Sequence, residues 1–117
     1  MVVHRHSADD LTEAEVDRIF RAFADGTRRD ILWRTMTSEV SISGLANSYD
    51  MSFAAVQKHV AVMEAAGLVT KHSRGRQRLV RANPETLART QSLLARYESL
   101  WRRRIERLDA LLADDAE

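Results

Sequence analysis

Apolar residues recur at helical spacing through most of the chain and switch to strand spacing once, between residues 68 and 82. Residues 1 to 11 are polar and read as a flexible N-terminal tail. Thr12 and Glu15 have the spacing of a capping box, in which hydroxyl and carboxylate satisfy each other's backbone N–H groups. Val16, Ile19, Phe20 and Phe23 then predict an amphipathic helix to about Ala24. Asp25-Gly26 breaks it, and Thr27 is the expected cap of a second helix with Ile31, Leu32 and Met36 facing inward, ending near Thr37. Ser41-Ile42-Ser43 reads as a short extended segment whose Ser43 caps a third helix carrying Leu45 and Ala46, with turn formers from Asn47 to Met51. Ser52 caps the next helix, where Ala55, Val56, Val60 and Met63 form an apolar stripe ending at Ala66-Gly67.

The period then changes from helix to strand. Leu68 to His72 and Gln77 to Ala82 are strand-like runs joined by Ser73-Arg74-Gly75-Arg76, a glycine-containing hairpin tip. Asn83-Pro84 opens a last helix, to about Ala113, with Leu87, Leu94, Tyr97, Trp101, Ile105, Leu108 and Leu112 on one side. Residues 12 to 117 are therefore expected to form one domain, mainly α with a small β-hairpin (α+β). Two short helices joined by a tight turn, followed by a hairpin, make a winged helix-turn-helix.

Charge changes what this pattern means. The whole chain of 117 residues balances 18 basic against 17 acidic side chains, a net charge of +1 that suggests no polyanionic partner. Between Ser52 and Ala82, however, six cations face Glu64 alone, an excess of five; the rest carries twelve cations against sixteen carboxylates. The basic excess thus coincides with the helix beginning at Ser52 and with the hairpin. An α-helix fits the major groove of DNA, where each base pair shows a distinct donor and acceptor pattern. Spacing turns Phe53, Ala54, Gln57, Lys58 and Ala61 outward. Gln57 suits bidentate contact with adenine, Lys58 guanine or a phosphate, and Ser52 a phosphate at the helix N-terminus. Arg74 and Arg76 at the hairpin tip suit the minor groove or the nearby backbone, with Arg78 behind them.

Three segments resemble the arsenic-repressor (ArsR/SmtB) family of transcription regulators. They are Asp25-Gly26-Thr27-Arg28-Arg29-Asp30-Ile31-Leu32, Met51-Ser52-Phe53-Ala54-Ala55-Val56-Gln57-Lys58-His59-Val60 and Glu64-Ala65-Ala66-Gly67-Leu68-Val69. The resemblance spans roughly residues 14 to 112 and implies a homodimer formed by the first and last helices, a palindromic operator in double-stranded DNA, and repression released by an effector. It places Phe20 at the dimer interface beside Leu94, Tyr97, Trp101, Ile105, Leu108 and Leu112, whose spacings of 3, 4, 4, 3 and 4 match a continuous buried face. Phe53 stands where the family commonly has a polar residue, which suggests contact with a thymine methyl. Metal-responsive members use cysteines, or aspartate, histidine and glutamate sets on the last helix. This chain has no cysteine, and its last helix has no histidine. It therefore resembles members without those motifs, with no cofactor expected.

Other readings stay open beside this one. His4 and His6 are candidates for a metal-responsive site completed by carboxylates, against the simpler reading of a solvated tail; a zinc site normally needs a third or fourth ligand. His59 shares a face with Val56 and Met63 and is expected to be packed and hydrogen-bonded rather than a base contact. His72 ends a strand and adds charge near phosphate only when protonated. Arg102-Arg103-Arg104 reads as a solvated face with acidic neighbours across a dimer. A winged helix also serves as a protein-interaction module, but such a hairpin has no reason to carry Arg74, Arg76, Arg78 and Arg81. No nucleophile with a neighbouring base and no glycine-rich phosphate loop shows a recognisable spacing, so no enzyme is expected. The N-terminal residues lack the apolar run of a signal peptide and no stretch reaches membrane-span length, so a cytoplasmic protein is expected.

Overall fold

The computed structural model describes residues 10 to 115. Helix α1 (Glu13–Phe23) starts in the anticipated capping box: Thr12 Oγ1 accepts from the Glu15 N–H at 3.1 Å, and Glu15 Oε1 accepts from the Thr12 N–H at 2.9 Å. Helix α2 (Gly26–Thr37) follows after a two-residue break, then β1 (Val40–Ser41), α3 (Ile42–Tyr49) and α4 (Phe53–Ala65). Strands β2 (Val69–Arg74) and β3 (Gln77–Ala82) form the hairpin, and α5 (Pro84–Asp115) ends the described chain. The sheet is antiparallel with order β1-β3-β2; Val40 opposes Val80, and Arg74 opposes Gln77 across a turn of only Gly75 and Arg76.

Several boundaries differ from the expectations, each for a local reason. Asp25, not Thr27, caps α2, because its carboxylate accepts from the Arg28 N–H at 3.0 Å. Ser41, not Ser43, caps α3 by accepting from the Gly44 N–H, while its own backbone pairs with Leu79 in the sheet. Helix α3 runs on to Tyr49 and stops at Asp50, which takes a left-handed conformation (φ 51°). Met36 faces solvent at 48% exposure, and Thr35 takes the inward place. The Thr35 hydroxyl donates to the Ile31 and Leu32 carbonyls, so its burial leaves no polar atom unsatisfied. At the inner end of the expected tail, Leu11 joins the core and the Asp10 carboxylate accepts from Arg96 at 2.9 Å. His4 and His6 lie outside the described residues.

The core gathers Ile19, Ile31, Ile42, Leu45, Val56, Val60, Met63, Leu68, Val69 and Val80 from α1 to α4, β2 and β3, while Val40 of β1 and Leu87 and Leu93 of α5 pack against its edge. Gly67 makes the α4-to-β2 turn possible at φ 75°: its N–H donates to Glu64, and the Leu68 N–H reaches back to Met63. A Cβ there would approach Thr86 Oγ1 to 3.1 Å. Helix α5 has 32 residues, about 48 Å at 1.5 Å per residue, and beyond Arg96 every described residue is exposed. The radius of gyration of 19.5 Å, against about 13 Å for a compact chain of this size, reflects that overhang.

Candidate nucleic-acid interface

Helix α4 is amphipathic in the sense needed to present a reading surface. Val56, Val60 and Met63 are buried, while Phe53, Ala54, Gln57, Lys58 and Ala61 are all exposed. Ser52 Oγ accepts from the Ala55 N–H at 3.1 Å, so the cap holds the helix start while the hydroxyl proton stays available to an acceptor. The N-terminal N–H groups have no intrahelical partner and carry the positive end of the helix dipole.

Two polar clusters fix the surroundings of α4. At the α2–α3 junction the Tyr49 hydroxyl donates to Asp30 Oδ2, Arg34 Nε donates to the same oxygen at 2.9 Å, and the Arg34 guanidinium lies 4.9 Å from the Tyr49 ring centre. The hydrogen bonds from Tyr49 and then Arg34 hold the Asp30 carboxyl below its ordinary value. Burial, reinforced by the bond to Asp30, pushes the Tyr49 hydroxyl up to about 12. The folded chain therefore keeps a proton that unfolded tyrosine, near 10, has released; stability falls as pH rises from about 10 to about 12. Chemical unfolding of Tyr49→Phe across that range is expected to show a shallower alkaline loss than the wild type. Equal slopes would contradict the hydrogen-bonded role.

The second cluster joins the α1–α2 corner to α4. The Arg28 guanidinium donates to the Ala22 carbonyl at 3.0 Å and the Arg21 carbonyl at 2.8 Å, and its Nη1 lies 3.2 Å from His59 Nδ1. Asp25 Oδ2 is 3.8 Å from the same ring nitrogen. His59 is half-buried and hydrogen-bonded, as its place on the apolar side of α4 led one to expect. The Asp25 carboxyl is held below its ordinary value, chiefly by the Arg28 backbone N–H and further by the positive charge of the Arg28 guanidinium.

The hairpin divides its cations between neutralised and unneutralised positions. Lys71 Nζ lies 3.4 Å from Glu64, and Arg74 Nη2 lies 3.6 Å from Glu39, whose other oxygen contacts His72. Glu39 precedes β1 and holds β2 from the side; no local spacing announces it, because the contact depends on the folded sheet. Arg76 in the turn and Arg78 and Arg81 on β3 are exposed, and among the described residues they have no carboxylate partner; nor does Lys58. The positive surface is thus narrower than the sequence count suggested, and it shifts from β2 toward the tip and β3.

The apolar residues assigned to self-association are exposed in the single chain. Leu94, Tyr97, Trp101, Ile105, Leu108 and Leu112 run along one side of α5, and Phe20 stands on α1. Leu100 and Leu111, which the spacing did not single out, widen that apolar surface and are also exposed. Arg102 pairs with Glu98 on its own helix at 2.6 Å. Among the described residues, no group of three or more histidine or carboxylate side chains is placed to hold a metal ion. No described helix is long and apolar enough to cross a membrane.

No family model matches the sequence. The chain is 35% identical over 81 residues to the HTH-type transcriptional regulator Rv2034 of Mycobacterium tuberculosis, covering 69% of this chain and 76% of that protein. The solved structure of an ArsR-like transcriptional regulator from Rhodococcus sp. RHA1 superposes with a TM-score of 0.79 at 32% identity, over 86% of this chain and 93% of the other. At 23% identity, the homodimeric winged helix-turn-helix DNA-binding domain of Mb0332 from Mycobacterium bovis shares the fold, with a TM-score of 0.60 over 74% of this chain and 80% of the other. With five helices and a three-stranded sheet arranged as in these solved structures, the chain belongs to the ArsR family of winged helix-turn-helix transcriptional regulators.

Proposed function

We propose that this chain is a homodimeric, cytoplasmic repressor in which α4 of each protomer reads one half of a palindromic operator. The observation that carries the reading is the charge distribution around α4. Carboxylates cancel Lys71 and Arg74 yet leave Lys58, Arg76, Arg78 and Arg81 uncancelled beside an exposed helix face. An apolar or neutral protein contact gains nothing from four unneutralised cations, whereas binding to a phosphate backbone does. Gln57 reads a base edge, Phe53 and Ala54 meet thymine methyls, and Ser52 with the start of α4 binds a phosphate. Lys58 serves guanine or backbone, while Arg76 and Arg78 reach the flanking backbone or minor groove and Arg74 assists when it leaves Glu39.

Pairing two protomers through α5, with Phe20 of α1 beside it, covers the apolar overhang and sets two reading helices in fixed relation. Residues 12 to 117 form the single domain, and repression follows from occupying a promoter. An effector, where one exists, acts by favouring one arrangement of the two reading helices over another.

Binding to random-sequence duplex, measured by fluorescence anisotropy over increasing salt, tests the electrostatic half of this proposal. Each neutralised phosphate adds a log–log slope of about −0.9, so three to five contacts on each protomer give a steep decline. A flat salt dependence would exclude a nucleic-acid surface at α4 and the wing.

A further inference from the structure

We infer that Arg28 and His59 are positioning residues for base reading: through them the α1–α2 corner fixes the rotation of α4 about its own axis. The inference rests on the proposal that α4 is the reading helix. Helix α4 is otherwise held by Val56, Val60 and Met63 and, near its C-terminal end, by the Glu64–Lys71 pair, and apolar packing has no direction of its own. A rotation of ~20° carries a side-chain tip on the far side of a helix by about 2 Å, enough to lose a bidentate contact from Gln57. The bond between Arg28 Nη1 and His59 Nδ1 is directional, and it acts two residues beyond Gln57 and one beyond Lys58.

The chemistry of the pair makes it a defined stop rather than a loose contact. A guanidinium has only donors, so His59 Nδ1 presents its lone pair and the ring carries its proton on Nε2. Arg28 is held in place because its other nitrogens donate to the Arg21 and Ala22 carbonyls at the end of α1, where the Arg21 carbonyl also accepts from the Ala24 N–H. Arg29 adds a bond to the Phe23 carbonyl at 2.6 Å, and Asp25 caps α2 through the Arg28 N–H. The fork therefore ties three things together: the end of α1, the start of α2 and the middle of α4. Helix α3 carries no charged side chain, and Lys71 on β2 is held by Glu64. Nothing else charged on those elements replaces the bond from Arg28.

The test measures two affinities for the full chain, one for a duplex that the wild type enriches from random DNA and one for a random duplex of equal length. Their ratio is specificity; the second alone reports the phosphate contacts. In His59→Leu and Arg28→Lys the ratio is expected to fall about tenfold while random-duplex affinity stays within about twofold, as one hydrogen bond to a charged group is lost. His59→Asn is expected to keep most of the ratio, because its side-chain oxygen takes up nearly the place of Nδ1. An unchanged ratio in the first two variants would overturn the inference. So would an equal fall in both affinities, which would mark a merely structural role. A wild type that does not distinguish the two duplexes would overturn the reading-helix proposal itself.

Discussion

Leu108→Glu is expected to convert the protein to a folded monomer that has lost specific DNA binding. Leu108 is 52% exposed in the single chain and belongs to the part of α5 beyond Arg96, clear of the core. The substitution therefore costs little stability within one protomer. In a symmetric dimer the glutamate enters the apolar seam twice, and an uncompensated buried charge costs about 3–5 kcal/mol each time. Two such penalties raise the dissociation constant of the dimer about 10⁴-fold or more. Burying a large apolar side chain completely contributes about 1.5–3 kcal/mol, and Leu94, Tyr97, Trp101, Ile105, Leu108 and Leu112 enter from both partners, each still about half exposed. That sum is of the same order as the roughly 4–15 kcal/mol lost in association. Sedimentation equilibrium with circular dichroism checks the outcome. A variant that keeps the wild-type mass would move the seam away from this face.

The second large effect concerns the wing. Arg76→Ala with Arg78→Ala is expected to weaken binding to all sequences together and to lower the salt slope by about one unit for each contact removed. Arg74→Ala is expected to do less, because its guanidinium already faces Glu39 at 3.6 Å. Gln57→Ala behaves differently in kind: about 1–3 kcal/mol of preference is lost at one base pair, with the salt slope unchanged. Anisotropy titrations of these variants against matched and single-substituted duplexes separate the two patterns. If Gln57→Ala left base preference untouched, the register of α4 on DNA would be wrong. If the double arginine variant retained its salt slope, the wing would not touch the backbone.

Much of the architecture was legible in local patterns because local physics decides it. The capping box of Thr12 and Glu15, the stripe Val56-Val60-Met63 and the glycine turn at Gly67 each depend on residues a few positions apart. The caps of α2 and α3 fall on Asp25 and Ser41 rather than on Thr27 and Ser43 for a related reason. Several hydroxyls and carboxylates stood near each helix start, and the folded chain chose between them. Asp25 is drawn to Arg28 and His59, and Ser41 is fixed by its pairing with Leu79. Met36 and Thr35 exchanged places because a threonine that hydrogen-bonds its own helix is acceptable in the core. For the candidate site, the outward face of α4 and the basic hairpin followed from periodicity and charge. Glu39 did not, since it lies 33 positions from His72, and neither did the Arg28–His59 bond across 31 positions. Both decide how much of the visible charge and which orientation of the helix reach a partner.

In the proposed complex, two identical chains read two inverted copies of one short sequence. Selection of bound duplexes from a randomised pool by the purified full-length protein tests it most directly. The expected result is an enriched pseudo-palindrome whose half-site centres lie about 10–10.5 base pairs, or a multiple of that, apart. Failure to enrich any sequence, or enrichment of a single asymmetric element without an inverted partner, would contradict it.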